Sequence, residues 1–419
     1  MSKHVWIVNH HALIPSKDGG SGRHLNMARY LPDYGWTASL IVASTIHPRG
    51  TQGMPGRRLR RITNEGGIPV LWVRAPAYGG NTLRRFLGMV VFALLAIAPG
   101  MTRGLKHPDV VVGSTVHLLG AWAGWRLAQR HRVPFVYEIR DVWPDTLVHL
   151  GRMRPSGLLA RGMERLSVGL ARRADLVVAP LPHIDDYLSD HGVDRGKFLW
   201  VSNGFDGERE EPEPDYEPGP DFVFMYLGAH GTANALDGIM EAFDRACLEL
   251  PDTPMKLRFV GSGPLKDELM GFARTLRSAN RISFEDRIPQ GAVVARAREA
   301  DCLVANTHDN PVYRYGVSLN KLFTYLYAHR PTVLACSEPD NAISEAGAGI
   351  VVPGDDRVAL AEAMLEMVRM PVNSRRELAG RGYNFVLDNY SHEGLASRFA
   401  CGLDEVARRS NSHRSSRGQ

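Results

Sequence analysis

Short apolar runs recur along the chain, each followed by a polar loop and then by a stretch whose apolar residues return every three or four positions. Val5–Val8, Thr37–Ala43, Pro69–Val73, Asp109–Ser114, Phe135–Ile139, Leu176–Ala179 and Phe198–Val201 are nearly uninterrupted, which is the pattern of strands covered on both faces. The helical patterns between them, such as His24–Tyr30 and Leu118–Arg130, supply that cover. The alternation stops at residues 208–220, an acidic, proline-rich segment with no apolar period, and that segment reads as a linker. It resumes at Phe222–Leu227 and continues through Lys256–Val260, Ile282–Phe284, Cys302–Ala305, Thr332–Ala335 and Gly349–Val352. Strand followed by helix, repeated on each side of a linker, predicts an α/β protein of two doubly wound parallel sheets facing across a cleft. The domains are then 1–207 and 221–388. A helical pattern over 389–407 is expected to return to the first domain, and 408–419 to be a disordered tail.

In open parallel sheets, ligands bind outside the carboxyl ends of the strands, so the loops after the strands carry the candidate chemistry. After the first strand comes Lys17-Asp-Gly-Gly-Ser-Gly-Arg23, where Gly20 lets the backbone approach a phosphate, Ser21 suits a helix cap and Arg23 an anion. A tight turn without a ligand explains the same glycines. His117 follows the strand ending at Ser114, and Arg140, Asp141 and Asp145 follow the strand ending at Ile139. His117 and Asp141 are convergent polar groups at one rim, although a structural histidine and a partner for Arg140 are equally open readings. Asp145 suits a helix cap.

The second half repeats the arrangement with Gly228, Gly231, Thr232 and Asn234 after one strand and Gly261-Ser-Gly-Pro264 after the next. Its most informative stretch is Asn310–Pro331, a polar loop with Gly316, a helix from Leu319 to Ala328 and then a buried strand. The N-terminus of that helix points amide N–H groups at an anion, and Lys321 adds a charge suited to a diphosphate.

Charge and composition narrow the picture further. An apolar content of 44% and a charged content of 23% are those of a water-soluble globular chain, and 419 residues suffice for two or three cores. Cys247, Cys302, Cys336 and Cys401 lie far apart, with no metal-ligand spacing; a reduced, cytoplasmic setting with four small buried cysteines is expected. Met1-Ser-Lys-His leads straight into a strand, so no leader peptide is expected. Arginines crowd residues 57–85, just ahead of the apolar run Phe86–Ala98. That run is shorter than the ~20 residues a membrane span needs. A core helix and a segment lying on a membrane surface both remain open, the latter making 57–98 a peripheral membrane contact. The basic run lacks interleaved aromatics, so no nucleic acid is expected as a partner.

The Gly19-Gly20 loop, Glu138-Ile-Arg-Asp-Val-Trp-Pro144, Tyr226-Leu-Gly-Ala-His-Gly231, Phe259-Val-Gly-Ser-Gly-Pro264 and Gly316-Val-Ser-Leu-Asn-Lys-Leu-Phe-Thr-Tyr325 occur in one order along two halves. In that order, the chain to about Val406 resembles the retaining GT-B glycosyltransferases of family four, in particular the bacterial branch that adds amino sugars to O-antigen and capsule precursors. The resemblance implies a nucleotide sugar, UDP-linked, on the second domain and a lipid-linked or small-molecule acceptor on the first, at the inner face of the membrane, with no cofactor and no metal. It places Gly20, Gly228, Thr232, Asn234, Val317, Ser318 and Lys321 at the donor diphosphate. Gly261, Asp286, Arg287, Ile288 and Thr324 would border the nucleoside, and Tyr315, Gly316 and Asn320 the donor sugar. His117, Asp141 and Arg314 are the candidate catalytic groups. One departure stands out, because the two glutamates that many members carry in the loop and helix are replaced here by Gly316 and Thr324. Arg314, Asn320 or Glu345 would have to substitute. A nucleotide-sugar epimerase and a non-catalytic scaffold subunit on the same fold are the alternatives.

Overall fold

The computed structural model describes residues 2–18, 22–46, 49–80, 83–149, 153–207, 218–338 and 340–417. The chain divides into two compact units, residues 1–203 with 392–419, and residues 204–391. The linker expected at 208–220 falls mostly outside the described residues.

The first unit is built on one eight-stranded sheet. Its strands are β1 (Lys3–Val8), β2 (Trp36–Ala43), β3 (Arg60–Glu65), β4 (Ile68–Val73), β5 (Val110–Ser114), β6 (Phe135–Glu138), β7 (Leu176–Ala179) and β8 (Phe198–Trp200). They lie in the order β8-β7-β6-β5-β1-β2-β4-β3. Neighbours are parallel except β3, which runs antiparallel along β4. Ile7 registers against Leu40 on one side and Val112 on the other, and all three are buried. Strand β3 is not apparent in the sequence, because Arg-Arg-Ile-Thr-Asn-Glu has a single apolar residue and lies inside the arginine-rich segment. On an edge this charge is useful, since it discourages pairing with another chain.

Helices α1 (Arg23–Tyr30), α2 (Leu83–Ala96), α3 (Leu118–His131) and α4 (Leu158–Arg173) belong to this unit. Ser21 lies outside the described residues, and α1 starts after Gly22 with no side-chain cap. Asp145 is the first residue of a short helix, Asp145–His149, rather than the residue that precedes it. Helix α3 sits hard on β5, because a Cβ on Gly124 would lie 2.7 Å from the Gly113 Cα. That contact fixes the height of His117 above the strand ends.

The second unit has a six-stranded parallel sheet of β9 (Phe222–Leu227), β10 (Met255–Val260), β11 (Ile282–Glu285), β12 (Cys302–Asn306), β13 (Thr332–Ala335) and β14 (Gly349–Val352). The order is β11-β10-β9-β12-β13-β14. Helices α5 (Leu236–Glu249), α6 (Asn320–Tyr327), α7 (Arg357–Arg369) and α8 (Val372–Tyr390) pack around it. Helix α8 was not anticipated; it carries few apolar residues and packs against α6. Helix α9 (His392–Arg417) then places Leu395, Phe399 and Leu403 in the core of the first unit. It runs through Arg417, so residues 408–417 are helical where the sequence suggests a disordered tail. Cys247, Cys302 and Cys336 are buried, whereas Cys401, expected to be buried, is exposed on α9.

Each sheet has one place where the chain reverses its direction of progress across the strands, between β1 and β5 in the first and between β9 and β12 in the second. Loops leave in opposite directions there and open a crevice at the carboxyl edge.

Candidate active site

In the second unit the crevice is lined by the loops after β9, β10 and β12 and by α6. Gly228 and Gly261 follow β9 and β10, and a Cβ on Gly261 would stand 1.9 Å from the Gly228 carbonyl oxygen. Only glycine lets the two loops touch. Gly263 is constrained likewise by the His230 backbone, 2.2 Å from where its Cβ would be. His230 is thereby fully enclosed, and among the described residues neither of its ring nitrogens has a hydrogen-bond partner. Burial first, and the charge of Lys266 second, lower its pKa, so the ring is neutral. Its ring meets Phe259 and Phe284 edge-on, and those two stack at 5.0 Å. In the sequence the only signal for His230 is a histidine inside a glycine loop.

Helix α6 is pinned to β9 by Tyr325, whose hydroxyl accepts from the Leu227 N–H at 2.9 Å. One turn earlier on the same helix face, Lys321 therefore points at the loop after β9. Its Nζ donates to the Tyr226 hydroxyl at 3.0 Å and to Asn234 Oδ1. It also stands 4.6 Å from the centroid of the Tyr226 ring. The residue as a whole is half-buried, but its ammonium is desolvated, and this lowers its pKa from 10.5 to about 7. Among the described residues no carboxylate offsets that burial. A lysine so placed favours an incoming anion, because the anion restores the charge that the protein disfavours.

The other predicted residues of this unit occupy varied positions. Asn234 also donates to the Ala229 carbonyl, which braces the loop around Lys321. Thr232 is exposed on a single turn of 3-10 helix, Thr232–Asn234. Arg314 lies against the buried Tyr315, 4.5 Å from its ring centroid, and donates to its hydroxyl. Gly316 is buried with φ +106, and Val317 and Ser318 are half-buried just before α6. Asn320, first residue of α6, is exposed, and Thr324 is half-buried. Asp286 and Arg287 are exposed and Ile288 half-buried. Asp286 accepts from Lys266 at 2.6 Å, and that hydrogen bond and charge hold its carboxyl below its usual value. Lys266 was not singled out from the sequence, where it reads as one more surface charge on a helix.

In the first unit the crevice between β1 and β5 holds a group of histidines. His10 and His11 follow β1, and His117 precedes α3. The rings of His10 and His117 lie 4.6 Å apart, and those of His10 and His11 4.3 Å apart, all three being buried. Phe92 of α2 packs edge-on against His10 at 4.7 Å. His117 Nδ1 accepts from the Gly120 N–H at 3.2 Å, which puts the ring proton on Nε2. Burial, with a contribution from Arg85, lowers its pKa from 6.5 to about 3. His117 is thus a neutral hydrogen-bond donor, and among the described residues Nε2 has no partner. The pair His10-His11 was legible only as two polar residues after a strand.

Beneath this crevice runs a buried network. Arg23 Nε donates to Glu138 Oε1 at 2.9 Å, and its other nitrogens to the carbonyls of Val201 and Ser202. His24 meets the second Glu138 oxygen and Asn9. Burial raises the Glu138 pKa, but His24 and Arg23 beside it outweigh that and hold the carboxyl well below its usual range. Arg23, expected to reach a phosphate, is instead spent on holding β6 and the end of β8 together. Asp141 is half-buried, its carboxyl pushed up by burial against the opposing pull of Arg140. Gly20 lies outside the described residues.

Each unit thus carries a switch-point crevice on a parallel sheet, and the crevice of the second holds a lysine at a helix start. Residues 19–204 match the family described as "Glycosyl transferase 4-like domain", and residues 221–370 match "Glycosyl transferases group 1". A Pseudomonas aeruginosa protein described as probable glycosyltransferase WbjE is 23% identical over 322 residues, covering 74% of this chain and 78% of that protein. Sucrose-phosphate synthase from Thermosynechococcus elongatus superposes with a TM-score of 0.73 at 15% identity, covering 98% of this chain and 100% of that one. For trehalose-6-phosphate synthase from Burkholderia multivorans the TM-score is 0.71 at 14% identity, with coverages of 99% and 98%. HepE from Anabaena, solved with UDP and glucose, gives 0.62 at 13%, with 96% and 100%. The chain belongs to the family-four type of GT-B glycosyltransferases.

Proposed function

We propose that this protein is a retaining transferase that moves a hexose or amino sugar from a UDP-linked donor to a lipid-linked or small-molecule acceptor at the cytoplasmic face of a membrane. The observation that carries this reading is Lys321, a desolvated lysine with no counter-charge among the described residues, beside Asn234 and the glycines that follow β9. In the reaction the bond from the anomeric carbon to the diphosphate oxygen breaks, and its electron pair leaves with the diphosphate. An acceptor hydroxyl forms the new bond on the same face, and its proton passes to the departing diphosphate. Negative charge therefore grows where Lys321 and the amides of Val317 and Ser318 lie, and stabilising it there lowers the barrier. His117 takes part as a neutral donor to a substrate hydroxyl through Nε2. Asp286, Arg287 and Ile288 border the base, and Tyr315, Gly316 and Asn320 the sugar. A lysine and amides supply the positive charge, so in this reading the transfer requires no metal and a chelator leaves turnover unchanged. A solved relative holding UDP with glucose supports the choice of nucleotide.

Thermal melting with UDP-, GDP- and dTDP-sugars tests the reading. Stabilisation by a UDP-sugar that is absent in Lys321→Ala is the expected result, since a ligand of the native state raises its apparent stability. Stabilisation by none of the three, or an unchanged response in Lys321→Ala, would remove it.

A further inference from the structure

We infer that the outer face of α2, together with the neighbouring edge of the first sheet, docks on a bilayer bearing anionic lipid headgroups. From Phe86 to Ala96 helix α2 is apolar all round, but only one side is covered. Gly88, Phe92, Ala93 and Ala96 are buried, and the helix packs on α3 and β4. On the opposite side Leu83, Phe86, Leu87 and Leu94 are 83%, 54%, 50% and 55% exposed. Those positions recur at helical spacing and form one stripe along the axis. A stripe of large apolar residues in contact with water marks a binding surface.

The charge around it identifies the occupant. Between residues 49 and 106 there are ten arginines and lysines and one acidic residue, Glu65, against 50 and 45 in the whole chain. Arg57, Arg58, Arg61 and Arg84 are exposed. The basic edge is tied to the helix, because Arg60 donates to the carbonyls of Gly100 and Met101 just past the end of α2, at 2.9 and 2.6 Å. Arg74 fixes the preceding loop through the carbonyls of Gly56 and Arg58. Two exposed apolar residues of that edge, Leu59 and Ile62, extend the patch. Apolar side chains flanked by exposed arginines fit an interface where acyl chains lie beneath phosphates. Lying flat is the only option for this helix. Its 14 residues at ~1.5 Å each reach about 21 Å, short of the ~30 Å hydrocarbon core. Among the described residues no helix is long and apolar enough to cross a membrane.

Flotation of the full chain with vesicles of phosphatidylcholine alone, and of phosphatidylcholine mixed with phosphatidylglycerol, tests this. Binding to the anionic vesicles is expected, weakening as salt rises, with little binding to the neutral ones. The pair Leu87→Glu, Leu94→Glu lies at exposed positions and should lower the partition coefficient about tenfold or more. Arg58→Glu with Arg61→Glu should have a similar effect and flatten the salt dependence. Circular dichroism melts identify any variant that fails to fold, and each pair then serves as the control for the other. Failure of the wild-type chain to float, or flotation of both folded variants like wild type, overturns the proposal. So does a dimer in sedimentation experiments that the leucine variants dissolve, since the face would then be taken by a second copy. The melts with UDP-sugars contain no lipid, so either inference can fail without the other.

Discussion

The ammonium of Lys321 stands 4.6 Å from the centre of the Tyr226 ring and donates to the hydroxyl of the same residue at 3.0 Å. The aromatic face and the phenol oxygen hold the lysine in place without neutralising it. Burial lowers its pKa to about 7, so above neutral pH the unliganded protein carries an uncharged amine. A diphosphate restores the charge, and binding therefore takes up a proton. Affinity for UDP should fall about tenfold for each pH unit above ~7, a slope that Lys321→Met should abolish. Calorimetry in buffers of different ionisation enthalpy measures the uptake directly. The sign for stability is opposite. Between pH ~7 and ~10.4 the unfolded chain binds the proton that the unliganded fold excludes, so this lysine makes the fold more stable as pH rises through that window. Binding without proton uptake at pH 8 would contradict the assignment.

His117 carries its proton on Nε2 and stays neutral well below physiological pH. Its contribution should be a hydrogen bond, not a proton transfer. His117→Ala is expected to lower kcat about a hundredfold, as for the loss of one preorganised donor, and His117→Gln to recover part of it. The pH profile between about 5 and 8 should keep its shape in both variants. Disappearance of an acidic limb in His117→Gln would show the imidazole acting as a base instead, and of a basic limb as an acid.

Gly316 adopts φ +106, a region that side chains of L residues rarely enter. A glutamate, the residue that the family resemblance implies here, thus does not fit the present backbone. Gly316→Glu should cost about 1–3 kcal/mol in urea unfolding, and Gly316→Ala a similar amount, because the cost resides in the dihedral. A Glu variant as stable as wild type would mean that the loop changes its conformation readily.

Glu138 and Arg23 form a buried ion pair below the histidine group. Removing one partner leaves the other charged and unpaired, so Glu138→Ala should lose about 3–5 kcal/mol. The carboxyl is held below its usual range, and its contribution is therefore present at neutral pH and declines as pH falls below ~4.3. Thermal melts from pH 7 to acid should show a steeper decline for wild type than for Glu138→Gln. Parallel curves would place the acid sensitivity elsewhere.

The parallel sheets were legible in the sequence because strands covered on both faces must be continuously apolar, and Val5–Val8 and Phe222–Leu227 have no other use for that pattern. Glycine loops after those strands were legible for a similar reason, since a close approach of two backbones, as between Gly228 and Gly261, tolerates no Cβ. Lys321 was legible through its place at the start of a helix. Only the tertiary structure decided what surrounds each charge. Lys321 loses its water to Tyr226 and Asn234, which are 95 and 87 positions away, and Arg23 finds Glu138 at a separation of 115. His10 and His117 meet because β1 and β5 are neighbours, an adjacency that strand order sets and local sequence does not encode. The same holds for α2, whose apolar residues read alike on all sides until packing covers Phe92 and leaves Leu87 in the open. Periodicity is a property of consecutive residues and survives in the string of letters, whereas desolvation and pairing depend on distances that only the folded chain creates.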